Sequence, residues 1–144
     1  MRRTMETCDR PPLGSILTRP PSITVIDDDA SFRAATDSLL RARGYTVHAF
    51  ESAGDFLSSP VLDETSCVIT DVKMPSINGL ELQSRLRSQG RTVPIIFITA
   101  FPEESARARA LRDGALCFLA KTPDACTLLK YVEAALALRP AAGR

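Results

Sequence analysis

The chain has 144 residues, enough for one domain of about 100–150 residues with a real core and too few for a second sizeable one. Eighteen basic and seventeen acidic side chains leave a formal net charge of +1, so no global field recruits nucleic acid or an anionic membrane. The sequence has no apolar span of membrane-crossing length, and Met1-Arg2-Arg3 is not followed by a signal-peptide core, which makes a cytoplasmic location the expectation.

Four cysteines, Cys8, Cys67, Cys117 and Cys126, stand too far apart for a Cys-x-x-Cys site. Cys67 and Cys117 fall in apolar, strand-like runs, which predicts buried reduced thiols and fits a reducing compartment.

From Met1 to Ser22 there is no hydrophobic period, only four prolines and several arginines, which predicts a disordered or loosely docked arm over residues 1–22. The foldable region is 23–139, followed by a short tail at 140–144. Ile23–Ile26 is β-branched and apolar on both faces, then stops at Asp27-Asp28-Asp29, as a buried parallel strand meeting solvent would. Phe32, Ala35, Leu39 and Leu40 recur at helical spacing from Ser31, and Gly44 is a stop.

The alternation repeats. Tyr45–Phe50 reads as extended, a short helix carries Phe56 and Leu57, and Cys67–Thr70 is a strand running into Asp71. A helix with Leu82 and Leu86 ends at Gly90. Pro94–Thr99 is a fourth strand, Ser105–Leu111 a helix, Cys117–Ala120 a fifth strand, and Leu128, Leu129, Val132 and Leu136 mark a final helix. Five βα units predict an α/β fold whose parallel sheet is covered on both faces. The helix around Arg107, Arg109 and Arg112 has few large apolar groups and should pack weakly, its arginines forming a solvated face. His48 has no metal-type spacing around it and reads as a surface or half-buried histidine.

In such a sheet, ligands bind beyond the carboxyl ends of the strands. The first strand ends in Asp27-Asp28, the third in Asp71, the fourth in Thr99 and the fifth in Lys121, so five polar groups collect at one rim. Three carboxylates there repel unless a cation joins them. Mg²⁺ suits the set, with Asp28 and Asp71 binding directly and Asp27 through water. A carboxylate beside such an ion can attack a phosphoryl group in line, with the Thr99 hydroxyl and the Lys121 ammonium neutralising the equatorial oxygens. Asp29 reads as a helix N-terminal charge and not a ligand.

The run Ile26-Asp27-Asp28-Asp29, then Asp71-Val72-Lys73-Met74-Pro75 with Gly79, then Ile98-Thr99-Ala100, then Phe118 three before Lys121, resembles the receiver family of two-component response regulators. It is most similar to FixJ-like receivers, over roughly residues 23 to 138. The resemblance implies the flavodoxin-like (CheY-like) doubly wound five-stranded sheet of order 2-1-3-4-5. It also implies Asp71 as phosphoacceptor, Asp27 and Asp28 as the acidic pair, the Lys73 backbone carbonyl as a further Mg²⁺ ligand, Thr99 and Phe118 as switch residues, and Lys121 facing the phosphate. Ala100, Phe101 and Lys73 would govern access to that phosphate.

The family places a cis proline straight after the lysine, whereas here Thr122 follows Lys121. A non-proline cis bond costs about 2.5–4 kcal/mol, so a trans bond and a less firmly aimed Lys121 are expected. The resemblance further implies a sensor histidine kinase or phosphotransfer protein as donor and a downstream protein as target, and leaves open a phosphorylation-dependent homodimer. Direct nucleic-acid contact by this chain and membrane binding are not expected.

Two alternatives stand beside this. Output by protein contact is expected because no DNA-binding segment follows Arg144, but the chain could also be the receiver part of a longer FixJ-like transcription regulator. The Asp71-x-x-Met-Pro run also resembles phosphatases with an aspartyl nucleophile. Those typically carry a second acid two positions on, where this chain has Lys73, so self-phosphorylation and self-dephosphorylation are expected rather than enzymatic turnover.

Overall fold

The computed structural model describes residues 20–138. Most of the predicted arm, the tail and Cys8 lie outside the described residues. Five parallel strands, β1 (Ser22–Ile26), β2 (Thr46–Phe50), β3 (Cys67–Thr70), β4 (Ile95–Thr99) and β5 (Cys117–Ala120), form one sheet in the order β2-β1-β3-β4-β5. The crossovers carry α1 (Ala30–Ala42), α2 (Ala53–Leu57), α3 (Gly79–Ser88), α4 (Glu104–Arg112), and α5 (Ala125–Ala137) closes the chain. This is the predicted alternation and the predicted strand order.

Alternation along each strand sorts the core into two layers. Ile23, Val25, Ile69, Ile96 and Ile98 meet Leu40 of α1 and Leu128, Leu129 and Val132 of α5. Ile26, Val68, Ile95 and Phe97 meet Phe56 of α2, Leu82 and Leu86 of α3 and Ala110 of α4. Every residue of β3 and β4 is buried, which is why those runs are apolar without alternation.

The helices start where short polar side chains cap them. Asp29 Oδ1 accepts from the Phe32 N–H at 3.1 Å, and Asn78 and Glu81 form a reciprocal capping box on α3. Asp124 caps α5. By contrast α4 begins at Glu103 without a side-chain cap and buries only Ala110, so it is the weakly packed helix expected from its sequence. A 3₁₀ turn at Pro60–Asp63, absent from the sequence reading, starts with Ser59 Oγ accepting from the Val61 N–H at 3.0 Å and proline in the first turn. His48 is half-buried on β2. Among the described residues no helix is long and apolar enough to cross a membrane.

Cys67 and Cys117 are buried as thiols at the starts of β3 and β5. Burial pushes both thiols up to about 12, with the neighbouring Cys117 adding to the effect at Cys67. In the unfolded chain a thiol ionises near its ordinary value of 9.0. Below that pH both states hold the proton and stability is unaffected. Between about pH 9 and 12 only the unfolded state loses it, so stability falls as pH rises, by at most about 1.4 kcal/mol per pH unit per thiol. Urea titrations at rising pH should show this decline, and a Cys67→Ala, Cys117→Ala variant should show a shallower one.

Candidate functional site

Strand register builds the site. β1 and β3 pair with Ile26 opposite Thr70, so the next residues, Asp27 and Asp71, emerge side by side. The Asp71 N–H donates to the Ile26 carbonyl at 3.2 Å, extending the ladder into the site. β4 and β5 pair Thr99 with Ala120, and the Lys121 N–H donates to the Thr99 carbonyl at 2.9 Å. All four of these groups therefore leave the sheet at one rim.

Asp27 is fixed on every side. Its N–H donates to the Phe50 carbonyl at 3.1 Å, its Oδ1 accepts from the Asp29 N–H at 2.9 Å, and its carbonyl accepts from Arg33 Nη1 at 2.6 Å. Asp71 is also buried, and its Oδ1 accepts from the Lys73 N–H at 3.2 Å. The Lys121 ammonium lies 3.0 Å from Asp71 Oδ2, 2.9 Å from Asp27 Oδ2 and 3.7 Å from Asp29 Oδ2. Its fourth side faces the Phe32 ring, 4.8 Å from the centroid.

Burial pushes the Asp27 carboxyl up, against the lowering influence of the Asp29 N–H and Lys121. At Lys121 burial acts downward, but the bonds and charges of Asp27 and Asp71 outweigh it and the ammonium is held above its ordinary value. The buried Asp27 Oδ2 stands 2.9 Å from the Lys121 ammonium and meets no other donor, which leaves it acceptor capacity. Asp27, Asp28 and Asp71 each offer a carboxylate oxygen within 4.8 Å of one another, Asp28 from an exposed position. An all-oxygen set with a free buried lone pair fits a hard divalent cation such as Mg²⁺.

Thr99 is fully buried, and its Oγ1 accepts from the Phe101 N–H at 3.3 Å. Phe118 is half-buried with its ring 6.0 Å from Phe97. Ala100 is exposed, and Phe101 is 65% exposed with the Lys73 ammonium 5.7 Å from its ring centroid. Lys73 also pairs with Glu103 at 3.6 Å.

One expectation is corrected. The Lys121-Thr122 bond is cis, not trans, and Lys121 is not loosely aimed. The trans expectation rested on local preference alone, whereas three carboxylates and a ring fix where the ammonium stands. The sequence reading also missed two neighbours of the site. Phe32 read only as helix core, and Arg33 gave no signal at all, because its backbone acceptor carries no side-chain signature.

Residues 23–133 match the response regulator receiver domain family. The chain belongs to that family. It is a receiver domain of the two-component response regulators, whose characteristic chemistry is to accept a phosphoryl group. The receiver is 40% identical over 117 residues to the transcriptional regulatory protein TdiR of Thauera aromatica, covering 81% of this chain and 52% of that protein. It is 34% identical over 122 residues to the transcriptional regulatory protein FixJ of Azorhizobium caulinodans, covering 85% and 58%. The solved response regulator StyR superposes with a TM-score of 0.76 at 37% identity, covering 83% of this chain and 60% of that one. The chain spans about half the length of the curated relatives it matches.

Gly79 lets the loop after the receiver's Asp71 fold back on itself. Its N–H donates to the Val72 carbonyl at 2.8 Å, and a Cβ there would lie 2.2 Å from the Asp71 carbonyl oxygen and 2.9 Å from a Phe97 ring carbon. Gly79→Ala should therefore cost about 1–3 kcal/mol of stability and displace the Asp71 backbone. Urea denaturation and the Asp71 amide resonance check both effects.

Proposed function

We propose that Asp71 is the phosphorylated residue of this receiver, served by Asp27, Asp28, Thr99 and Lys121. The observation that carries this reading is the Lys121 ammonium set between Asp27 and Asp71 at 2.9 and 3.0 Å, in a rim where a third carboxylate also converges. An Asp71 oxygen attacks the phosphorus of a phosphohistidine on a sensor kinase or phosphotransfer protein. A new P–O bond forms as the P–N bond breaks, and its electron pair leaves with an imidazole that departs neutral when its other nitrogen carries a proton.

Mg²⁺ would be held by Asp28 and Asp71, by the Lys73 backbone carbonyl and through water by Asp27, and would supply charge neutralisation for the phosphoryl oxygens. Lys121 offers a point charge to one such oxygen, and the buried Thr99 hydroxyl donates to another. Movement of Thr99 toward the phosphate makes room for Phe118 to turn inward, so the phosphorylated state changes the surface that a downstream protein reads. Ala100 leaves the phosphate open to a partner, while Phe101, steadied by Lys73, limits water.

We place this chemistry on the receiver itself rather than on a turned-over substrate, and in the cytoplasm, where buried thiols stay reduced. A second reading has one observation behind it: the relatives named as transcriptional regulatory proteins are about twice as long as the matched region. On that reading the output is control of a DNA-binding partner segment.

Incubation with acetyl phosphate and Mg²⁺ should add one phosphoryl group by intact mass, and Asp71→Asn should abolish the gain. A gain that survives in Asp71→Asn refutes the assignment. Metal titration should show a Mg²⁺ affinity lowered about tenfold or more by Asp28→Asn. Asp29→Asn should change it little, because the Asp29 carboxylate is engaged as the α1 cap. Equal losses in the two variants would remove Asp28 from the ligand set.

A further inference from the structure

A lysine ammonium rides on a flexible four-carbon stem, so the protein must decide where it stands. In this receiver the Lys121 side chain is only 11% exposed, and three carboxylates stand 2.9, 3.0 and 3.7 Å from its ammonium. The Phe32 ring centroid stands 4.8 Å from the same ammonium, within the range at which an aromatic face attracts a cation. That ring is itself fixed. Phe32 sits in the first turn of α1, its N–H bonded to the Asp29 cap, and it packs against the layer formed by Ile23, Val25 and their neighbours.

The carboxylates are poor long-term anchors for the reaction assigned to Asp71. The oxygen that attacks phosphorus stops being a free anion, and Asp27 and Asp29 compete with a phosphoryl oxygen for the three ammonium protons. An aromatic face has neither defect. It keeps its charge distribution throughout the transfer, and it holds no lone pair that competes for the ammonium protons.

We propose that Phe32 is a positioning residue for phosphoryl transfer: its ring face seats the Lys121 ammonium beside Asp71 and keeps it there while the carboxylate contact is given up. This rests on the reading of Asp71 as acceptor. Packing alone would need only an apolar side chain of similar size, whereas a seat of this kind depends on the electron density of the ring.

The test replaces Phe32 alone, by site-specific incorporation, with mono-, di- and trifluorinated phenylalanine, which drain the ring face while nearly keeping its shape. Phosphorylation by acetyl phosphate at saturating Mg²⁺ is followed by intact mass, and thermal midpoint and Mg²⁺ affinity are measured on each protein. The rate constant should fall stepwise, reaching about three- to tenfold at the trifluoro ring, with midpoint and Mg²⁺ affinity unchanged. In the unphosphorylated protein the Lys121 ε-methylene protons should show an upfield ring-current shift that Phe32→Leu removes. A normally phosphorylated wild type with rates indifferent to fluorination overturns the proposal and leaves the acceptor assignment standing. A wild type that takes no phosphate on Asp71 overturns the assignment, and the proposal with it.

Discussion

The Lys121 ammonium, 2.9 Å from Asp27 and 3.0 Å from Asp71, is the contact on which the rest of the rim depends. Parallel pairing of β1 with β3 forces two carboxylates out of the sheet beside each other, and both are buried. Without a cation the two charges would repel each other in a buried setting, and burial already pushes Asp27 upward. The lysine comes from the far edge of the sheet, so the charge balance of the site also ties β5 to β1 across the two strands between them. A divalent ion and a phosphoryl group change this balance together, one adding positive charge and the other negative. On the proposed reading of Asp71, the same few side chains thereby serve as a resting ion pair and as a transfer site.

The loops obey the same geometry. Each strand stops where its apolar run stops, and the chain must turn at once to let the next helix cover the sheet. After β3 this turn is so tight that position 79 has no room for a side chain. After β1 it is made by three consecutive aspartates, each with a different task. Asp27 is held through its side chain by the Asp29 N–H and through its carbonyl by Arg33, Asp28 stands in solvent and Asp29 caps α1. Identical residue types thus acquire different chemistry from position alone, which no composition argument could separate.

The five strands and the groups at their ends were legible in the sequence because buried parallel strands are apolar throughout and break abruptly at polar residues. Asp71 after Cys67–Thr70 and Thr99 at the end of Ile95–Thr99 are cases where an apolar run gives way to a polar side chain that is still buried. What stayed hidden depends on contacts between distant segments. The Lys121-Thr122 bond was judged by local preference and came out otherwise. Phe32 lies on the apolar stripe of α1, and nothing in that stripe separates a ring packed in the core from one facing an ammonium 89 positions later. Arg33 reaches a backbone carbonyl, and carbonyls are invisible to any reading of residue types.

Helix α4 differs from its neighbours in how little holds it. It buries Ala110 alone, begins without a side-chain cap, and meets α3 through Gln83, whose Nε2 donates to the Ala110 carbonyl at 3.0 Å. The other end of that amide gains nothing, for Gln83 Oε1 is buried without a partner, a situation that costs about 1–3 kcal/mol. Its ion pairs, such as Arg107 with Glu104 at 3.8 Å, are exposed and add little. By contrast α5 buries Leu128, Leu129, Val132 and Ala135. The loop that carries Phe101 joins β4 directly to the start of α4, and Thr99 in turn bonds the Phe101 N–H. Thr99 is thereby joined through the Phe101 loop to a helix that buries a single side chain, whereas α5 on the other face is held by four.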